Sequence, residues 1–164
     1  MRIRLITSML LCLALVGCSS VVDEEPEVVE RVKVGDHVPS FTIDITIPKA
    51  SPEEAGHSIF STDHLTGETV IVFFNTWCGD CKRELPKLND YYLQHKDNEG
   101  FQMVAISRAE DDATVSAFWS ANNLMIPYSA QTDRNIYELF ATSIVPRIYF
   151  ISSKGIITRI EVDS

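Results

Sequence analysis

The chain has 164 residues, 45% of them hydrophobic, with 14 lysines and arginines against 23 aspartates and glutamates and a formal net charge of −9. That length suits one domain with an appendage, and the apolar fraction suffices for a packed core without disulfide staples. The acidic balance argues against a nucleic-acid binder and against a polybasic membrane patch.

Arg2 and Arg4 precede an apolar run from Leu5 to Val16. The run is shorter than the ~20 residues needed to span a bilayer and reads as a signal segment over residues 1–17. It ends Leu15-Val16-Gly17-Cys18, which resembles the lipobox of bacterial lipoproteins. The resemblance implies cleavage before Cys18, lipidation of its thiol and a lipid bilayer as partner. An ordinary secretory signal with an incidental cysteine is the other reading. Residues 18–33 are acidic without a clear period, as in an anchored tether; their valines also suit a short strand on a sheet edge. The domain is expected over residues 34–164.

Within it, Phe41 to Ile47 alternates apolar and polar residues and predicts a half-buried strand. A loop with Pro48 and Pro52 follows, then a short return strand at Ser58–Phe60 and a capped turn from Ser61 to Gly67. Val70 to Phe74 is apolar without alternation, the pattern of a central strand buried on both faces. Lys82 to His95 predicts a helix with Leu85, Leu88 and Tyr92 inward and Pro86 within it. Phe101–Ile106 is a second buried strand, and Asp111–Asn123 a helix with Val115, Phe118 and Trp119 on one stripe and Asp111 or Asp112 near its cap. A short strand at Pro127–Ser129, a helix capped by Asp133 through Ile136, Leu139 and Phe140, and a hairpin of Ile144–Ile151 with Ile156–Val162 complete the chain. Strands alternating with helices and ending in a hairpin indicate an α/β fold with a mixed sheet.

Four cysteines are present. Cys12 falls in the signal segment and Cys18 at its end, which leaves Cys78 and Cys81 as a single close pair. One pair is no disulfide framework for an exported protein, so it is assigned to chemistry. A buried strand delivering Cys78-Gly79-Asp80-Cys81 to the first turn of a helix stabilises one thiolate through unpaired backbone N–H groups and the helix dipole. The second thiol is then in reach, as thiol–disulfide exchange requires. Two thiols are half a zinc set; no second pair follows, and His37, His57, His64 and His95 are scattered. No metal and no cofactor is expected. Gly79 and Asp80 are expected to tune the redox pair, Asp80 by opposing the helix dipole and favouring a reductant, unless its carboxylate points into water.

The run from Trp77-Cys78 through Cys81-Lys82 to Glu84 and Pro86, Val145-Pro146 ahead of a strand, and the opening Val34-Gly35-Asp36 to Phe41 together resemble the TlpA/ResA branch of the thioredoxin-fold proteins, which groups with redoxin and AhpC/TSA-like sequences. The likeness covers residues 34–162. It implies a thioredoxin-like fold, a mixed central sheet flanked by helices with an N-terminal β extension. It implies a protein disulfide oxidoreductase in the cell envelope, facing the periplasm or the cell surface. Electrons would come from a membrane thiol donor and go to disulfides of exported proteins, apocytochrome c among the known substrate classes. Cys78 is then the attacking thiol and Cys81 the resolving one. Glu84 corresponds to a glutamate that assists proton transfer, with a solvated helix residue as the alternative; the strand aspartate of general thioredoxins is replaced by Val72. Pro146 corresponds to a cis-proline that exposes the Val145 backbone to substrate, with Trp77 beside it, and Trp77 and Phe74 are expected to shield the pair. Arg147 either meets acidic substrates or pairs with a nearby carboxylate. The family's terminal helix is missing after Val162, which is expected to leave Ile160 and Val162 uncovered.

Two other functions remain in view. A thiol peroxidase of the AhpC/TSA kind needs a Pro-x-x-x-Thr/Ser-x-x-Cys loop, and Phe73 to Trp77 contains no such proline. A non-catalytic lipoprotein binding module would keep the fold without turnover.

Overall fold

The computed structural model describes residues 30–49 and 54–162. The signal segment, Cys18 and the tether up to residue 29 lie outside the described residues. Seven strands form one sheet: β1 (Thr42–Ile47), β2 (Gly56–Ser61), β3 (Thr69–Phe74), β4 (Gln102–Ser107), β5 (Tyr128–Ser129), β6 (Arg147–Ile151) and β7 (Ile157–Val162), in the order β2-β1-β5-β4-β3-β6-β7. Helix α1 (Gly79–His95) joins β3 to β4, and α2 (Asp112–Ala121) joins β4 to β5. The thioredoxin-like architecture expected from the sequence is present, with the β1–β2 hairpin as its N-terminal extension.

All six side chains of β3 are buried, because the strand has neighbours on both edges and cover on both faces. It runs parallel to β4 and antiparallel to β6. The connections β3-α1-β4 and β4-α2-β5 step in the same direction across the sheet. Right-handed crossovers therefore put both helices on one face. Phe150 meets Tyr91 of α1 there, with ring centroids 6.4 Å apart, and Phe74 and Tyr128 pack on Trp119 of α2 at 4.8 and 5.0 Å. The opposite face carries an aromatic cluster in which Phe73 lies 5.4 Å from Tyr137 and 5.0 Å from Phe140. Asp111 caps α2, its carboxylate accepting from Thr114 N at 2.8 Å.

Three expectations change. Residues 30–33, assigned to the tether, pack on the domain: Glu30 forms an isolated bridge with Ala141, Arg31 N donates to Phe140 O at 2.8 Å, and Val32 is buried. The helix expected after Asp133 reduces to a 3-10 turn at Tyr137–Leu139. Asp133 caps only a local turn, its carboxylate accepting from Asn135 N at 2.9 Å and from Asn135 Nδ2 at 2.7 Å.

The third concerns β7. Its register puts Ile160 opposite Tyr149 and Val162 opposite Arg147, on the face away from α1, where Ile160 is half-buried against the core and Val162 is exposed as expected. The α1 side of β7 instead presents Arg159 and Glu161, opposite Phe150 and Ile148. Arg159 lies 3.6 Å from the Phe150 ring centroid and pairs with Glu161 at 3.0 Å. That side of the strand is charged, not an apolar patch.

Candidate active site

The chain leaves β3 at Phe74 and turns through Asn75-Thr76-Trp77 into α1. Polar contacts from the loop after β4 hold this turn. Asn75 Nδ2 donates to Arg108 O at 2.7 Å, and Arg108 Nε donates back to Asn75 Oδ1 at 3.1 Å. Glu110 accepts from both Thr76 N at 2.8 Å and Thr76 Oγ1 at 2.6 Å. A carboxylate taking two donors from one residue fixes the peptide immediately before the Trp77-Cys78 step.

Cys78 is the N-cap of α1. Its sulfur accepts from Cys81 N at 3.2 Å, so one of the unpaired N–H groups of the first turn points at it. In the thiol form it donates to Val145 O at 3.3 Å. Cys78 retains 8% exposure and Cys81 none, and both are free thiols. Burial first, then the hydrogen bond to Cys78, pushes the Cys81 thiol well above its ordinary range. The pair is thus asymmetric, with one sulfur at the rim among helix donors and one held neutral beneath it. That asymmetry separates an attacking thiol from a resolving one.

The peptide bond between Val145 and Pro146 is cis, and both residues are buried. The long-range fold brings the Val145 carbonyl, at the cis bond to Pro146, against Cys78, whose sulfur also meets the Cys81 amide. Trp77 is 67% exposed, so it presents an aromatic surface beside Cys78 and does not shield it; Phe74 is fully buried against Trp119. Asp80 pairs with Arg83, which draws its charge along the helix surface. Glu84 pairs with Lys87, with no thiol partner among the described residues. Arg147 is fully buried and paired with Glu30, which decides between its two expected roles in favour of the carboxylate. Among the described residues no group of three or more His, Cys, Asp and Glu is placed to hold a metal.

Sequence reasoning missed Glu110, Asn75, Arg108 and Tyr137. Glu110 lies 34 residues from Thr76, and nothing local marks it, since Glu110-Asp111-Asp112 reads simply as an acidic helix start.

The model of the AhpC/TSA family matches residues 34–160. A thiol-disulfide oxidoreductase ResA from Oceanobacillus iheyensis is 30% identical over 129 residues, 78% of this chain and 64% of that protein. ResA of Bacillus subtilis is 26% identical over 132 residues, 80% of this chain and 68% of that protein. This chain thus spans about two thirds of the length of these relatives. Among solved structures, a thiol:disulfide interchange protein of the thioredoxin family from Chlorobium tepidum superposes with a TM-score of 0.62 at 19% identity, covering 80% of this chain and 88% of that one. StoA from Bacillus subtilis gives 0.55 at 22% identity, covering 64% and 80%. At these identities the structural likeness speaks for the fold.

Proposed function

The chain belongs to the AhpC/TSA family, and we propose that within it this protein is a thiol–disulfide oxidoreductase that reduces disulfides of exported proteins. One observation carries the reading: Cys78 caps α1 with its sulfur at the Cys81 amide while Cys81 is buried directly beneath it. The Cys78 thiolate attacks one sulfur of a substrate disulfide, and the other substrate sulfur departs and takes up a proton. Cys81, giving up its proton, then attacks the Cys78 side of the mixed disulfide and releases the first substrate sulfur as a thiol. Two electrons pass from the cysteine pair to the substrate, and a thiol donor in the membrane restores the pair. The Val145 backbone meets the substrate as an extended strand, and the exposed Trp77 ring packs against it. Glu84 accepts or returns the Cys81 proton once Lys87 releases it, and Gly79 and Asp80 tune the pair.

The Leu15–Cys18 sequence supports a lipid anchor at Cys18, with the domain facing the periplasm or the cell surface. The likeness to ResA supports exported proteins, apocytochrome c included, as substrates. Peroxide reduction is a poorer fit, because the residues before Cys78 lack the loop that a peroxidatic cysteine needs.

The test is reduction of insulin disulfides by the purified domain with a thiol donor. Wild type turns over, Cys78→Ser is inactive, and mass spectrometry of the oxidised protein finds a Cys78–Cys81 bond. A Cys78→Ser protein as active as wild type rules the assignment out. For the anchor, Cys18→Ser shifts the protein from the membrane fraction to the soluble one.

A further inference from the structure

Arg147 is the largest fully buried side chain of the described residues, and the exchange chemistry above does not use it. It begins β6 directly after Pro146. Its Nε donates back to Ser143 O at 3.0 Å and to Ile144 O at 3.2 Å. Tyr137 Oη donates to the same two carbonyls, at 2.8 Å to Ile144 O. Ile144 has a φ of +66°, a conformation that a β-branched residue enters only when its surroundings hold it there. The next residue is Val145, whose carbonyl accepts from Cys78. The backbone that faces the reactive sulfur is therefore pinned from behind by a guanidinium and a phenol.

A buried guanidinium needs a counter-charge. Among the described residues the ion-pair partner of Arg147 is Glu30, 117 positions earlier. Glu30 also accepts from Tyr149 Oη at 2.6 Å. Burial and then that hydrogen bond push the Tyr149 phenol well up, so it stays a donor. Arg147 is thus gripped at one end by the segment that enters the domain and with the other grips the carbonyls of Ser143 and Ile144, the two residues before Val145.

We propose that Arg147, held by Glu30, is a positioning residue for disulfide exchange: it sets the Val145 backbone at the place where Cys78 and an extended substrate peptide meet. This rests on the oxidoreductase reading. It gives the charge of Arg147 an internal use and makes the entering segment part of the substrate platform. A small aromatic disulfide can reach Cys78 without strand pairing, whereas a protein disulfide depends on the Val145 backbone being in register.

The test compares two rates in each protein, kcat/KM for insulin disulfide reduction and the rate of reaction with 5,5′-dithiobis(2-nitrobenzoate), well below the thermal midpoint of the least stable variant. Arg147→Lys keeps the charge beside Glu30 and so preserves folding, but has no Nε–H for the two carbonyls. Glu30→Gln frees the outer end of the guanidinium. In both, the ratio of protein-disulfide to small-disulfide rate is expected to fall about tenfold, the scale of a sub-ångström misplacement. The double variant Arg147→Met with Glu30→Gln removes both charges and keeps the low ratio with a thermal midpoint above that of Glu30→Gln alone. A purely structural role lowers both rates together and leaves the ratio unchanged. A wild-type ratio in either Arg147→Lys or Glu30→Gln overturns the proposal. Wild-type protein that reduces neither probe through Cys78 defeats the oxidoreductase reading itself.

Discussion

Cys78 and Cys81 are three residues apart and occupy different physical environments. The first sits at the rim among helix N–H groups; the second has no exposed surface. This asymmetry has a pH signature. Burial, and then Cys78, pushes the Cys81 thiol up from its ordinary 9.0. The folded reduced protein holds that proton to higher pH than the unfolded chain does, so the group's contribution to stability is fully present below 9.0 and is lost as pH rises beyond it. The urea midpoint of reduced wild type should accordingly fall more steeply above that pH than that of Cys81→Ser; parallel curves contradict it. Cys81→Ser should also accumulate a stable mixed disulfide at Cys78, visible by mass spectrometry, because the resolving sulfur is gone.

Elements are joined here by contacts that a single atom disturbs. The turn before β3 and the turn before β4 touch at Gly67 and Gly100, where a Cβ on Gly67 would lie 2.4 Å from Gly100 O. Backbone carbonyls cannot swing aside as a side chain does, so Gly67→Ala is expected to destabilise by about 2 kcal/mol. Chemical denaturation measures this, and an unchanged midpoint refutes it. At the other end of the same strands, Glu110 ties the loop after β4 to Thr76 with two hydrogen bonds. Glu110→Gln keeps the size but loses charge-assisted acceptance. It is expected to lower insulin reduction several-fold, on the scale of the ~1 kcal/mol difference between a charged and a neutral hydrogen bond, while far-UV circular dichroism stays unchanged. Wild-type turnover in this variant removes Glu110 from the positioning of the thiol.

At the scale of the whole molecule the sheet is covered differently on its two faces. Helices α1 and α2 share one face, and the aromatic cluster with residues 30–33 lies on the other. At the β7 edge of the helix face, cover comes from a side chain: the aliphatic stem and guanidinium of Arg159 lie over Phe150. Arg159→Ser uncovers that ring, with an expected loss of about 1 kcal/mol and increased binding of a hydrophobic dye such as 8-anilinonaphthalene-1-sulfonate. No change in dye binding would show that Phe150 is covered by other groups.

The amino-acid sequence by itself determined the parts of this protein that depend on neighbours in the chain. The unbroken apolar run of β3, the alternation of β1, an aspartate cap at Asp111 or Asp112 for α2 and the delivery of Cys78 and Cys81 to a helix start are all short-range patterns. They were legible because burial and capping leave residue-type signals within a turn or a strand. The pairing of Val145-Pro146 with the cysteines was reached only through family resemblance. Tertiary structure alone decided the contacts between distant positions. It placed Glu30 against Arg147, Glu110 against Thr76, and Ile160 and Val162 on the face away from α1; it also left Trp77 in solvent. A buried ion pair or a strand register is set by which surfaces meet after the crossovers close, and a carboxylate 117 positions from its partner carries no local mark of that meeting.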